Sequence, residues 1–128
     1  MSNYSEIQRR FLQPTYGLCA DQDKQSPRLR AGGLEQGAVV ELYFSVEGSC
    51  LIDVRFRAYG SPTLIAFADA FCEALEGQPV SFLTDYELGA IQQQLQVPNT
   101  QIHVVMLFNE LLHHLRQTLV PSTSYELR

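Results

Sequence analysis

Residues 50–75 read Cys50-Leu51-Ile52-Asp53-Val54-Arg55-Phe56-Arg57-Ala58-Tyr59-Gly60-Ser61-Pro62, then Thr63-Leu64-Ile65-Ala66-Phe67-Ala68-Asp69-Ala70-Phe71-Cys72-Glu73-Ala74-Leu75. Their periodicity changes at Gly60. Before it, Ile52, Val54, Phe56 and Ala58 alternate with Asp53, Arg55 and Arg57, the pattern of a strand with one buried and one wet face. After it, Leu64, Phe67, Ala68, Phe71 and Leu75 recur at helical spacing. Ser61 is a good N-cap and Pro62 suits the first helical position. Gly77 sits where a C-terminal cap belongs, and Pro79 enforces the stop.

Upstream, Val39 to Val46 is rich in β-branched and aromatic residues, and Glu47-Gly48-Ser49 is a turn, so residues 39–59 predict a β-hairpin. Residues 28–34 predict an edge strand loosened by Gly32 and Gly33. Residues 4–12 predict a short helix capped by Ser5, and residues 13–27 a loop. Downstream, Thr84 with Glu87 three residues on forms a capping box, predicting a helix over 84–95. Residues 97–100 are a loop. A last helix runs from about Gln101 to Leu119, with Val105, Phe108, Leu112, Leu115 and Leu119 as its stripe and Val104 and Leu111 on its flank. Strands grouped before helices predict an α+β fold, a small antiparallel sheet of about three strands with helices packed on one face.

At 128 residues and 45% hydrophobic composition, the chain is long and apolar enough for one domain with a real core, spanning 1–128 with 1–3 and 121–128 frayed. Nine Lys and Arg against 14 Asp and Glu give a net charge of −5. That balance argues against nucleic-acid binding, which needs clustered cations. No apolar run reaches membrane-spanning length, and the first residues lack the apolar core of a secretory signal. A cytoplasmic, membrane-free protein is expected. The three cysteines, Cys19, Cys50 and Cys72, are an odd number with no metal-type spacing, which reads as reduced thiols.

No catalytic arrangement stands out. There is no GxSxG elbow, no GxxxxGK[ST] and no GxGxxG. His103, His113 and His114 share the last helix. His103 and His114 lie on one face, but their separation along the axis is roughly 16 Å, too far for one ion. His103, at the start of that helix, is the one in a site-like position.

The run Ile52 to Ala66 resembles the signature of iron–sulfur cluster scaffold proteins, the IscU type equivalent to the N-terminal domain of NifU, which reads approximately V/I-x-D-A-R-F-x-x-x-G-C-x-x-x-I-A. Tyr4-Ser5 is similar to the family's N-terminal Y-S, Gly37 to the glycine of its A-C-G-D strand opening, and Ala74 to Val80 to its helix end. Leu95 to His103 resembles its L-P-P-V-K-x-H-C region. The resemblance covers about residues 4–119 and implies a NifU/IscU-like fold.

The family holds its cluster with three cysteines and an assisting Asp or His. Carried over position by position, the first cysteine is Gln36, the Asp is Ala38, the second cysteine is Ser61 and the third is Val104; His103 alone matches. A [2Fe–2S] cluster needs thiolates, or imidazoles for some of them. Cys72 lies roughly 16 Å from Ser61 along the helix. Cys50 is expected at the far end of its strand, leaving Cys19 as the thiol able to swing in. The chaperone-binding motif is altered too, to Val97-Pro98-Asn99-Thr100-Gln101.

The resemblance therefore implies a scaffold-like protein without its cysteine ligands: a non-catalytic binding or regulatory module whose partner is cysteine desulfurase or another iron–sulfur assembly protein, reached in part through residues 97–101. No cofactor is expected. The alternatives are an iron or [2Fe–2S] carrier with atypical ligands, such as His103 with Cys19 or with cysteines of a second chain, and a small-molecule binder. For the latter, Gln36, Ala38, Ser61 and His103 are the pocket candidates.

Overall fold

The computed structural model describes residues 5–17 and 27–120; Tyr4, Cys19 and the two frayed ends expected from sequence fall outside them. The hairpin forms as expected. Strand β2 (Ala38–Glu47) pairs antiparallel with β3 (Cys50–Tyr59) through the two-residue turn Gly48-Ser49. Both turn residues have positive φ, +58° and +67°, which matches the right-handed twist of the strands they join. Strand β1 (Leu29–Gly33) adds to β2, giving the order β1-β2-β3.

One irregularity in β3 departs from simple alternation. Tyr43 faces Arg55 and Ser45 faces Ile52, so Asp53 and Val54 together oppose Phe44. This β-bulge places Asp53 at φ +54°. Leu51, Val54 and Phe56 consequently face the core, whereas Ile52 is only partly buried. The expectation of Ile52 on the buried face is corrected by that extra residue, which shifts the phase by one. The bulge is held from outside the sheet: the Glu76 carboxylate accepts the N–H of Val54 at 2.8 Å and of Asp53 at 3.2 Å.

The free margin of β3 is covered in part. Phe56 N–H donates to the Tyr16 carbonyl at 3.0 Å, Leu51 N–H to Gln78 at 2.8 Å, and Val80 N–H to Ser49 at 2.8 Å. Among the described residues, these bonds cover the margin at Leu51 and Phe56, which shortens the open row of backbone groups.

Among the described residues there are four α-helices: α1 (Glu6–Leu12), α2 (Pro62–Leu75), α3 (Gly89–Leu95) and α4 (Ile102–Leu119). Helix α2 packs against β3 and α4 against β1, covering the inner sheet face of Val40, Leu42, Leu51, Val54 and Phe56. The phenylalanines expected to line α2 and α4 meet there. Phe108 stacks on Phe67 with ring centres 4.7 Å apart and tilts against Phe71 at 5.4 Å. All three are fully buried, each contributing about 1.5–3 kcal/mol by burial. On α4, Val104 and Leu111 are core residues rather than flank, while Leu119 is only partly buried.

The helix expected over 84–95 is shorter and later. A 3₁₀ turn occupies Val80–Thr84, and α3 begins at Gly89 with no side-chain cap. Arg116 ties this stretch to α4: its Nε donates to the Leu83 carbonyl at 2.8 Å, and its Nη2 donates to the Tyr86 carbonyl, which a helix capped by Thr84 would use. A tertiary contact thus overrides a local capping signal.

Helix α1 has the expected Ser5 cap, with Gln8 completing the capping box. It is pinned to α2 by Arg10, which is buried and donates to Glu6 at 3.0 Å, Asp69 at 2.6 Å and Glu73 at 2.5 Å. No described helix is long and apolar enough to cross a membrane.

Candidate functional site

The corner between β3 and α2 brings distant segments together. Gly60 has φ +153°, and a Cβ there would lie 2.5 Å from Leu64 Cδ2 and 3.5 Å from the Gly37 carbonyl oxygen. A bare α-carbon lets this corner sit against the start of β2. Gly37, at φ +75°, ends the 3₁₀ turn Leu34–Gln36 and leads into Ala38. The corner therefore gathers Gln36-Gly37-Ala38, Gly60-Ser61 and the residues before α4.

Ser61 is the hub. Its Oγ accepts the Leu64 N–H at 3.2 Å, capping α2, and donates to Gln101 Oε1 at 3.2 Å. The hydroxyl is thus committed in both directions, tying the start of α2 to the start of α4. Gln101 has a role that its place in the 97–101 motif did not indicate; no sequence signal pairs it with a residue 40 positions away.

The other expected site residues divide. Val104 is 1% exposed and packs into the core beside Gln101's face. His103, two residues past Gln101, is exposed. Gln36 is exposed and Ala38 half-buried. Of the pocket candidates, the corner gathers the backbone of Gln36 and Ala38 with Ser61, and His103 lies exposed at the start of α4.

The thiols are placed elsewhere. Cys72 is fully buried, and burial, reinforced by the Asp69 charge, pushes its thiol well above the ordinary range. Such a thiol is a poor ligand and nucleophile. Cys50 is half-buried at the hairpin end of β3, beside Pro79. Among the described residues, no group of three or more His, Cys, Asp or Glu is arranged to hold a metal ion.

The altered motif forms a 3₁₀ turn over Asn99–Gln101, in which Gln101 N–H donates to the Pro98 carbonyl at 2.8 Å. Pro98, Asn99 and Thr100 are exposed, while Val97 packs on the core. Beside them on α4, Ile102 is 43% and Met106 65% exposed. The spacing of α4's stripe already leaves both side chains off the buried face.

The sequence matches the NifU-like N-terminal domain family over residues 3–115. The chain belongs to that family. It is 25% identical over 114 residues to the iron–sulfur cluster assembly protein IscU of Plasmodium falciparum (isolate 3D7), a match covering 88% of this chain and 70% of that protein. Its fold is similar to that of a crystal structure from Fervidobacterium islandicum AW-1, a protein assigned as an iron–sulfur cluster assembly scaffold for the SUF system. The TM-score is 0.57 at 19% identity, covering 81% of this chain and 85% of the other. As a member of the NifU-like N-terminal domain family, the chain thus has the α+β scaffold fold that its sequence predicted.

Proposed function

We propose that the chain is a non-catalytic binding or regulatory module of iron–sulfur cluster assembly that has lost its family's thiolate ligands. The observation that carries this reading is the Ser61 hydroxyl, engaged with both Leu64 N–H and Gln101 Oε1. At the position the resemblance assigns to a cysteine ligand, the side chain serves as a structural clasp. The cluster, which is cargo for such a scaffold, does not fit the donors present. Gln36 offers a neutral amide, Val104 is buried hydrocarbon, and His103 is left as a single imidazole without a thiolate at the family's ligand positions.

Family relationship without ligands leaves surface as the working part. The exposed Pro98–Thr100 turn with Ile102 and Met106 forms a mixed polar and apolar patch suited to a protein partner, cysteine desulfurase or another assembly protein. In this reading the chain acts in the cytoplasm as a single domain and carries no resident cofactor.

Anaerobic reconstitution with iron and sulfide, followed by desalting, visible absorbance and iron quantification, tests it. The expected result is folded, colourless, iron-free protein, with capture of the desulfurase in a subsequent pull-down. A stoichiometric chromophore that survives desalting would overturn the proposal and point to Cys19 and His103 as ligands.

A further inference from the structure

A separate cavity of about 330 Å³ lies between α4 and the segment leading into α3. Its volume is within the usual range of small-molecule sites, about 300–1,000 Å³. Arg116, Asn109, Gln92, Glu87 and Gly89 are among the residues that line it.

The charges in this cavity are unpaired. Arg116 is half-buried and spends two N–H groups on the neutral carbonyls of Leu83 and Tyr86. No carboxylate of the described residues forms an ion pair with it. A half-withdrawn guanidinium without a counter-charge is an electrostatic cost that an anion relieves. Glu87 is exposed, lines the same cavity and is likewise without an ion-pair partner. The two opposite charges face one space and are not within 4.0 Å of each other. A single carboxylate ligand would satisfy Arg116 but be repelled by Glu87. A ligand carrying both signs satisfies both.

We propose that this cavity binds a small zwitterion of the α-amino-acid class. The ligand carboxylate meets the remaining N–H groups of Arg116 and the amides of Asn109 and Gln92, and its ammonium meets Glu87. The inference is independent of the clasp at Ser61, which lies towards the other end of α4.

The test is an amide chemical-shift titration of the full chain with L-alanine, and separately with acetate and with methylammonium. Saturable shifts at Leu88, Gly89 and Gln92 are expected with L-alanine, at a Kd of about 1 mM. Each half-ligand should bind at least about tenfold more weakly. Glu87→Gln, a change at an exposed side chain, should weaken L-alanine about tenfold while strengthening the acetate response, since the repelling charge is gone. Asn109→Asp should abolish both responses by setting a carboxylate against a carboxylate. Arg116 itself is left intact, since its two carbonyl bonds hold the Val80–Thr84 turn. No saturable shift up to roughly 50 mM L-alanine would overturn the proposal. So would equal binding of acetate and L-alanine unaffected by Glu87→Gln.

Discussion

Ser61 makes one hydrogen bond within α2 and one across to Gln101, so its replacement removes a cap and a clasp together. Ser61→Ala should destabilise the protein by about 1–2 kcal/mol, read as a lower urea midpoint at unchanged slope. Tyr86 offers a pH signature. Its hydroxyl is buried without a hydrogen-bond partner, and burial pushes its pKa up to about 12 from the ordinary 10.0. The folded state therefore keeps the proton that the unfolded state releases first. Tyr86 contributes no penalty below pH 10; above it, the unfolded state is favoured progressively until the folded pKa near 12 is passed. Stability should fall across that window, and one tyrosine should titrate late in an absorbance experiment. Tyr86→Phe should remove both effects.

Helix α1 has seven residues, too few to persist alone in water. Its exposed Phe11 and Leu12 add little burial, so its docking leans on Arg10. Arg10 is 4% exposed and Asp69 1%, and Asp69 also accepts the Tyr16 N–H at 2.7 Å. Arg10→Met should cost about 3–5 kcal/mol because it strands a buried carboxylate. Adding Asp69→Leu should recover much of that loss, a non-additivity that a double-mutant cycle of denaturation measurements would reveal. Acid should loosen the same helix. The Arg9 side chain, with help from Arg10, holds the Glu6 carboxyl below its ordinary 4.5, so its contribution is present above that value and lost as pH falls through the lower one.

The element scale also shows what could be read in advance. The hairpin, α2 and α4 were legible because each carries its own period and punctuation, as at Gly60-Ser61-Pro62. Two features were not. The bulge at Asp53 depends on Glu76, 23 residues on, receiving two backbone N–H groups. The late start of α3 goes with Arg116, 30 residues from the carbonyl it binds at Tyr86. Local patterns carry no record of such partners. The same limit applies to the site: Ser61 was legible as a cap, and its bond to Gln101 was not.

At the scale of the molecule, one buried cluster connects the sheet, α2, α3 and α4. Cooperative unfolding is the consequence. Far-ultraviolet circular dichroism and tyrosine fluorescence should give coincident urea transitions; separated midpoints would mean that the helices and sheet melt as independent units. The clasp at Ser61 and the cavity at Arg116 lie at different stretches of α4, so one long helix joins the proposed partner face to the proposed ligand site.

The covered margin of β3 also bears on self-association. Tyr16-Gly17 and Gly77–Val80 occupy it, while the opposite margin, β1, is five residues long and contains Gly32 at φ +83°. A neighbouring copy finds little here on which a fibril could grow. Strand-to-strand seeding at β3 would first require one of those covers to peel away. Tyr16 follows directly from α1, and the carboxylate that holds its N–H is the one that anchors Arg10. The arginine that docks a short helix is therefore tied, through one carboxylate, to the cover over β3.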